Sequence, residues 1–443
     1  MASLARQAVS DRRVTVATLL LLLPGFALLL AATKSPVTVL VVAAALGAVV
    51  ACTLRIEIAI LLLVASAPLE SAMTLGSSSQ LTITKLAGAL CFGAFALNAV
   101  TAQRRLIFDG GHALVFLLLG LALVSTLQAE DTSQAIVTTT RYASFVALYF
   151  VISQFAGAHG LQRRIAWTLS IGSAVTGVLA SWNFLSGATL SARLPNGDPN
   201  DIAFILATTL PFAMWLLRAR GWGRAAAIIL TGVIGVSILL TLSRGALVGL
   251  GAGLVWYTLG ERRKGRGALL AAAVVIGLAV LLVVQLEHHR IETGLRAKEK
   301  VASTNVHTRL EAWGAAARLA ADHPVVGVGP GNFRFHYLEA TGRPPGTKGL
   351  AVVHDTYLDV ASELGIVALV VFLAYLVLAF GRLSTAVSRA LGPPGFASAA
   401  RVSLVIGVAA GLTLSEQYFA PFWLLGALAS ALVHEQDAAP AAE

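Results

Sequence analysis

The chain has 443 residues, of which 57% are hydrophobic and only 12% are charged. A soluble domain carries roughly 25% charged residues, so this composition excludes an ordinary soluble protein and predicts one solvated largely by lipid. The formal net charge is +10, but the charges are distributed by membrane side and not clustered on a soluble module, which argues against nucleic-acid binding.

Apolar segments close to the length that crosses a bilayer recur along nearly the whole chain. They lie at approximately 14–32, 36–53, 55–68, 82–100, 112–128, 136–156, 163–186, 200–218, 225–242, 245–259, 267–286, 355–381, 397–412 and 417–434. The third segment is short, and the last two are separated only by Thr413 to Glu416. We therefore predict an all-α polytopic membrane protein with 12 to 14 transmembrane helices. Cys52 and Cys91 lie inside apolar segments and are expected to be packing residues.

The distribution of Lys and Arg predicts the orientation. With the N-terminus in the cytoplasm, eighteen of these residues fall on the inner side and only Lys34, Arg193 and Arg244 on short outer loops. This is a strong positive-inside signal. We predict N-terminal transmembrane helices over 1–286, a large helical periplasmic loop over 287–353, C-terminal transmembrane helices over 354–434 and a cytoplasmic tail over 435–443.

Several polar residues are predicted near the outer surface before the long loop. Lys85 and Arg141 lie in apolar segments near outer helix ends, where ionisable side chains are costly and usually functional. Arg193 and Asn200 belong to the outer loop SARLPNGDPND, which first of all predicts turns. Arg244 stands between two apolar segments, where it either snorkels or receives an anion. The glycine-rich stretch 245–254 favours close helix packing over a lipid-binding groove.

The long outer loop opens with a predicted helix over 303–324. N-cap candidates are Ser303, Thr304 and Asn305, and Pro324 marks the end. At helical spacing one apolar stripe is predicted, made of Val306, Leu310, Trp313 and Ala317. Arg309 lies at the edge of this stripe, where it either snorkels over apolar surface or points into a groove at a phosphate.

A glycine-rich turn and a histidine follow. Gly327, Gly329 and Gly331 predict a turn, and a dinucleotide fold is excluded because no strand precedes them. His354 stands where the loop becomes the next apolar helix. The positive potential of a helix N-terminus lowers the pKa of a histidine and favours the neutral imidazole, the form that a general base needs. Position alone leaves this role and simple capping of the helix equally good.

No metal or cofactor is expected. Three adjacent residues, Glu287, His288 and His289, have poor geometry for one ion, and the outer face shows no paired-carboxylate motif. The basic run after them suits the anionic surface of membrane lipids; it consists of Arg290, Arg296, Lys298 and Lys300.

Three motifs together resemble the O-antigen ligase and polymerase superfamily of membrane glycosyltransferases. They are PN at 199–200, SRGA at 243–246, and the run at 308–365 that includes TRLEAW, HPVVGVGPGNF and HDTYLDVASELG. The resemblance implies a GT-C-like glycosyltransferase of the bacterial inner membrane, with its active site facing the periplasm and no nucleotide-sugar donor or metal. It also implies a glycan donor on undecaprenyl pyrophosphate and, in the ligase branch, a lipid A–core acceptor.

By position in the motifs, His354 matches the family's essential histidine, the expected general base, and Arg244 and Arg309 match its essential arginines. Asp355 stands where the family often has Asn, which leaves open whether it orients the base or touches sugar. Candidates for binding the pyrophosphate or the acceptor are Lys85, Arg141, Arg193, Asn200, Asp355 and Tyr357. The resemblance thus predicts a metal-independent, inverting transfer in lipopolysaccharide biosynthesis.

Two alternatives remain. An O-antigen polymerase or a protein O-oligosaccharyltransferase of the same superfamily would share donor and residues and differ only in the acceptor. A transporter of lipid-linked glycan belongs to another class, and such proteins usually place ionisable residues near mid-membrane and show repeat symmetry. The notable residues here are predicted at one membrane face, which argues against a transporter. Within the superfamily we favour the ligase, because the outer loop is moderate in size and the C-terminus follows soon after the last apolar segment.

Overall fold

The computed structural model describes residues 47–69, 83–102, 106–156, 159–194, 197–260, 292–293, 307–342, 344 and 352–438. These residues form helices joined by turns, without a strand among them, and the all-α prediction is confirmed for this part of the chain. Several predicted features lie outside the described residues: the segments 14–32 and 267–286, most of 36–53, the caps 303–305, and the polar residues 287–290, 296, 298 and 300.

The helices are numbered here in chain order. They are α1 (Gly47–Leu54), α2 (Ile56–Ser66), α3 (Ile83–Ala102), α4 (Gly110–Thr126), α5 (Thr132–Phe155), α6 (His159–Leu185), α7 (Pro199–Leu216), α8 (Trp222–Thr241), α9 (Arg244–Gly260), α10 (307–322), α11 (Phe333–Thr341), α12 (Thr356–Leu364), α13 (Ile366–Ser388), α14 (Phe396–Ala410) and α15 (Ala420–Ala438). Their bounds follow the predicted apolar segments closely, apart from 355–381.

Within the described ranges, four helices are long and apolar enough to cross a membrane: α5, α6, α8 and α13. A fifth span results if α1 and α2, which meet at a bend of 117°, are counted together. Four further helices are apolar over shorter lengths: α3, α4, α14 and α15. This set of helices is consistent with a polytopic membrane protein, and the count of 12 to 14 spans stays a prediction.

The predicted segment 355–381 is wrong as a single helix, because it breaks at Gly365. This residue has a φ of 91°, which separates α12 from α13. A side chain at this position would press on the Val325 carbonyl at 2.6 Å, and the next N–H, that of Ile366, donates to the Pro324 carbonyl at 2.8 Å. The break therefore docks the outer loop onto the start of α13.

Aspartates begin four of the helices. Asp109, Asp131, Asp198 and Asp355 each accept a hydrogen bond from a backbone N–H of the first turn of α4, α5, α7 and α12, respectively. Such caps satisfy donors that a helix leaves unpaired at its start, and each contributes about 1 kcal/mol. Pro199, at the first position of α7, fits because its missing N–H would have no partner there.

The centre of the bundle is formed by helices that are apolar all round. Residues 202–213 of α7 are all buried, and α7 contacts α6, α8 and α14. The glycine-rich stretch on α9 packs against α14, since a side chain at Gly249 would meet the Ile406 carbonyl at 2.7 Å. The preference for close packing at 245–254 is confirmed at this contact.

The helix predicted in the outer loop is present over 307–322, but the predicted apolar stripe is wrong. Leu310 is 58% exposed and Ala317 is exposed as well. The buried face consists of Ala312, Ala315, Ala316 and Leu319, which pack with Phe333 and Tyr337 of α11. Small alanines allow close approach of α11, and this outweighs the larger apolar area that Leu310 would bury.

A cluster of polar side chains, the Asp109 cluster, joins four helices at the end of the bundle where α4 begins. The Asp109 carboxylate contacts His112 Nδ1 at 2.8 Å, Arg382 of α13 at 2.9 Å and His434 Nε2 of α15 at 2.7 Å. Arg382 also donates to the Tyr149 hydroxyl of α5 at 3.4 Å. The charges are mostly buried and mutually compensated, which burial requires.

Candidate active site

A cavity of about 320 Å³ lies at the opposite end of α4 from the Asp109 cluster. Ser125, near the end of α4, donates to the Glu363 carbonyl at 2.8 Å, and Glu363 lines this cavity. Five parts of the chain contribute charged or polar side chains to the lining: Gln134, Thr138 and Arg141 of α5; Asp198, Asn200 and Asp201 at the start of α7; Arg334 of α11; His354, Asp359 and Glu363 around α12; and Ser415, Glu416 and Tyr418 between α14 and α15.

His354 lines the cavity in a strained backbone conformation. Its φ is 60°, which a residue with a side chain adopts at a cost of roughly 1–2 kcal/mol. The conformation is held because the His354 N–H donates to Ser415 Oγ at 3.0 Å, while Asp355 behind it caps α12. Strain of this kind is typical of functional sites, where the surroundings fix a side chain in one direction.

The surroundings of His354 favour its neutral form. Burial lowers the pKa of His354, the charge of Arg309 lowers it further, and the carboxylate of Asp198 opposes both. The direction is the one expected from sequence, but its first cause is burial. A neutral imidazole can accept a proton from a hydroxyl group in the cavity.

Arg309 lies among charged groups, and its charge acts on His354. Burial lowers the pKa of Arg309; the charge of Asp198 opposes this shift and the charge of Arg244 adds to it, so Arg309 interacts with both. The guanidinium of Arg309 donates to the Thr413 carbonyl at 3.3 Å. Arg244 is exposed at the start of α9, and the preceding Ser243 donates to Asn200 Oδ1 at 2.8 Å. A guanidinium group whose charge acts on the histidine, together with a second one that acts on the first, suits a phosphate-bearing ligand. Neither Arg244 nor Arg309 is among the residues that line the cavity.

Residues 225–373 match the family model described as O-antigen ligase. This part of the chain is thus similar to the O-antigen ligase family. This match covers about a third of the 443 residues and includes Arg244, Arg309 and His354. No curated protein matches the chain.

The other predicted site residues divide between the cavity and its surroundings. Asn200 and Arg141 line the cavity, and the Arg141 Nε is buried without a hydrogen-bond partner among the described residues. Lys85 lies beside Arg141 in a small adjoining pocket. The structure thus brings these three predicted residues toward His354.

Three further candidates lie elsewhere. Arg193 is exposed, and only its carbonyl is engaged, by Asn183 Nδ2 at 3.0 Å. Asp355 Oδ1 accepts the N–H groups of Tyr357 and Leu358, which is the geometry of a helix cap. The Tyr357 hydroxyl donates to the Val408 carbonyl at 2.7 Å, and its ring lines an apolar groove between α13 and α14. None of the three is among the residues that line the cavity.

Sequence reasoning missed six charged residues of the cavity: Asp198, Asp201, Arg334, Asp359, Glu363 and Glu416. Glu363 accepts the N–H of Gly331 at 2.7 Å and that of Phe333 at 3.3 Å, and it also accepts the Tyr418 hydroxyl. It therefore joins the glycine turn to α12. A signal was present, because Asp359 and Glu363 stand one helical turn apart inside a segment taken to be apolar.

The described residues contain no group of three or more His, Cys, Asp or Glu side chains arranged to hold a metal ion. This statement does not reach Glu287, His288 and His289, which are outside the described ranges. Charge neutralisation around the cavity can come from the guanidinium groups of Arg141, Arg244, Arg309 and Arg334.

Proposed function

We propose that this protein is an O-antigen ligase that transfers a glycan from undecaprenyl pyrophosphate to a hydroxyl group of lipid A–core. The observation that carries the proposal is that His354 lines the cavity with a pKa that burial and the charge of Arg309 lower, while the charge of Arg244 acts on Arg309 in turn. The family match supports the reaction class. We further propose that the protein lies in the bacterial inner membrane with this cavity facing the periplasm and both termini in the cytoplasm, as the eighteen-to-three distribution of Lys and Arg favours.

The proposed reaction is a single in-line displacement. His354 accepts the proton of the acceptor hydroxyl as the oxygen attacks the anomeric carbon of the donor glycan. The bond between that carbon and the pyrophosphate oxygen breaks, and its electron pair leaves with undecaprenyl pyrophosphate. Arg244 and Arg309 stabilise the growing negative charge, to which a preorganised donor contributes about 3–4 kcal/mol. One displacement inverts the anomeric configuration.

The alternatives within the superfamily differ only in the acceptor. A polymerase would use a hydroxyl of a second lipid-linked glycan, and an oligosaccharyltransferase a hydroxyl of a protein. The same cavity and the same cationic groups would serve either reaction. A transporter of lipid-linked glycan is less favoured, because His354 stands at a cavity at one end of the bundle and transport needs no neutral histidine there.

The test uses purified protein, undecaprenyl-pyrophosphate glycan and lipid A–core, with EDTA present. We expect product with the wild-type protein and a loss of roughly 10²–10⁴-fold in kcat for His354→Asn, because general-base catalysis is removed. Asn is chosen because it tolerates the left-handed backbone at this position.

The matched control is His307→Asn, since the His307 side chain is 76% exposed at the start of α10. Normal turnover of His354→Asn would refute the mechanism. Product only with a second glycan lipid or a protein as acceptor would replace the ligase by the corresponding alternative.

A further inference from the structure

Glu416 is a buried carboxylate with no hydrogen-bond partner in the described part of the chain. Its side chain is 1% exposed, and both carboxylate oxygens lack a partner there. An unpaired buried carboxylate is costly, so it normally implies a ligand or a function. Glu416 belongs to the wall of the same cavity as His354, so it lies next to any molecule bound there.

The backbone around Glu416 is fixed relative to His354. The N–H of Glu416 donates to Thr356 Oγ1 at 2.9 Å, and Thr356 Oγ1 donates to the Leu414 carbonyl at 2.6 Å. The intervening Ser415 accepts the His354 N–H at 3.0 Å. Three hydrogen bonds thus join the segment that carries Glu416 to the segment that carries the histidine. A group bound by Glu416 is therefore held in a defined position relative to the imidazole.

The charges nearest to Glu416 select the chemistry of its ligand. Burial raises the pKa of Glu416, and the carboxylates of Asp201 and Asp198 raise it further. Burial and the two carboxylates thus favour the neutral carboxyl group at Glu416, which donates one hydrogen bond through its O–H and accepts at its carbonyl oxygen. Such a group suits an uncharged ligand with hydroxyl groups. At His354 the charge of Arg309 has a larger effect than that of Asp198, so the pyrophosphate is better placed there.

We infer that Glu416 binds hydroxyl groups of the acceptor sugar and so orients the attacking hydroxyl toward His354. The inference rests on the proposed function and extends it by assigning an acceptor subsite. A neutral carboxyl group can donate its O–H to one hydroxyl group of a sugar ring and accept from a neighbouring hydroxyl group at its carbonyl oxygen, a pattern that fixes the ring in one orientation. Glu416 is thus a substrate-binding and positioning residue, and the proton is still taken by His354.

The experiment compares Glu416→Gln with the wild-type protein in steady-state kinetics, varying acceptor and donor separately. Gln has the same shape, but its amide N–H is a weaker hydrogen-bond donor than the O–H of a carboxylic acid. We expect the acceptor KM to rise by about threefold to tenfold, as for loss of one hydrogen bond between neutral groups, with the donor KM unchanged. The control is Glu339→Gln, an exposed position on α11.

A second arm uses acceptors that each lack one hydroxyl group next to the acceptor position. The wild-type protein should bind the deoxy acceptor more weakly than the complete acceptor. In Glu416→Gln the two acceptors should bind almost equally, because the side chain and the missing hydroxyl group no longer interact there. If Glu416→Gln does not fold, Glu416→Asp is used in both arms.

The outcomes separate the two proposals. A wild-type protein that forms no product overturns the proposed function and this inference together. An active wild-type protein whose acceptor KM is unchanged by Glu416→Gln, or whose donor KM rises instead, overturns this inference alone. The wild-type activity could instead depend on a divalent cation, with Glu416→Gln raising the cation concentration that is needed. That result would identify Glu416 as a metal ligand and would also overturn this inference.

Discussion

At the scale of single residues, the protonation of His354 depends on two neighbours with opposite charge. Burial and Arg309 lower the pKa of this histidine, while Asp198 raises it. Because only the neutral imidazole accepts a proton, activity should fall at acidic pH as His354 becomes protonated. A lowered pKa places this fall at a lower pH than for an ordinary histidine.

The fall of activity at acidic pH is the acid limb of the pH profile. We predict that two substitutions move this acid limb in opposite directions along the pH scale. Arg309→Gln removes a cause that lowers the pKa of His354, so the limb should move to higher pH, although the rate also falls. Asp198→Asn removes the cause that raises the pKa, so the limb should move to lower pH. The measurement is kcat/KM against pH for the wild-type protein and both variants.

Asp198→Asn should change the charge without disturbing the fold, because Asn also caps helices well and the cap of α7 is retained. Identical acid limbs in all three proteins would mean that the titrating group is not His354.

The sequence predicted the histidine and the two arginines of the site, but not the buried residues around them. His354, Arg309 and Arg244 could be singled out because their positions match motifs, and the structure brings them together. Glu416 could not be singled out from one sequence. Its significance comes from burial without a partner, which depends on contacts between distant segments.

At the scale of elements, the outer loop depends on glycines in conformations that other residues adopt poorly. Gly327 has a φ of 65°, and a side chain there would overlap the backbone carbonyl of Glu363 on α12. The adjacent ladder, in which Val328 donates to Ser362 at 2.9 Å and Gly329 to Glu363 at 3.0 Å, requires this close approach. The glycine turn thereby positions α12, and α12 carries three of the cavity's polar groups on or beside it.

We predict that Gly327→Ala destabilises the protein by about 3 kcal/mol, the sum of a left-handed backbone penalty and an overlap that backbone atoms cannot relieve. Gly342→Ala is the matched control, because its φ is 67° but nothing lies within 4 Å of the added carbon. It should cost about 1 kcal/mol. Thermal unfolding in detergent measures both, and equal losses would show that the contact with α12 is unimportant.

The break at Gly365 and the buried face of α10 show where sequence patterns fail at this scale. The mean hydropathy of a long stretch of residues hides Asp359, Glu363 and Gly365 and so predicts one span, although the chain turns at Gly365. On α10 the pattern favoured the largest apolar residues. The structure instead buries Ala312 and Ala316, whose small side chains admit a neighbouring helix.

At the scale of the whole molecule, the proposed function requires the cavity and the Asp109 cluster to face opposite sides of the membrane. We predict that a cysteine placed at Asp322, exposed at the end of α10, reacts with an impermeant maleimide from outside. A cysteine at Arg220, exposed between α7 and α8, should react only after the membrane is permeabilised. The native Cys52 and Cys91 are fully buried and should give little background.

Labelling of both cysteines from the same side would contradict the orientation and with it a periplasmic active site. Charge counts predicted the orientation because insertion responds to Lys and Arg in short loops. They could not predict how the helices pack, which depends on contacts such as that of Gly249 with Ile406.

The Asp109 cluster limits which substitutions this sequence can accept during evolution. One carboxylate serves an arginine and two imidazoles contributed by three helices, so replacing it alone would strand positive charge in a protein interior. Replacing Arg382 alone would strand the opposite charge. Substitutions that preserve stability at this end of the bundle should therefore replace the aspartate and the arginine together. Relatives that lack the aspartate should lack the arginine as well.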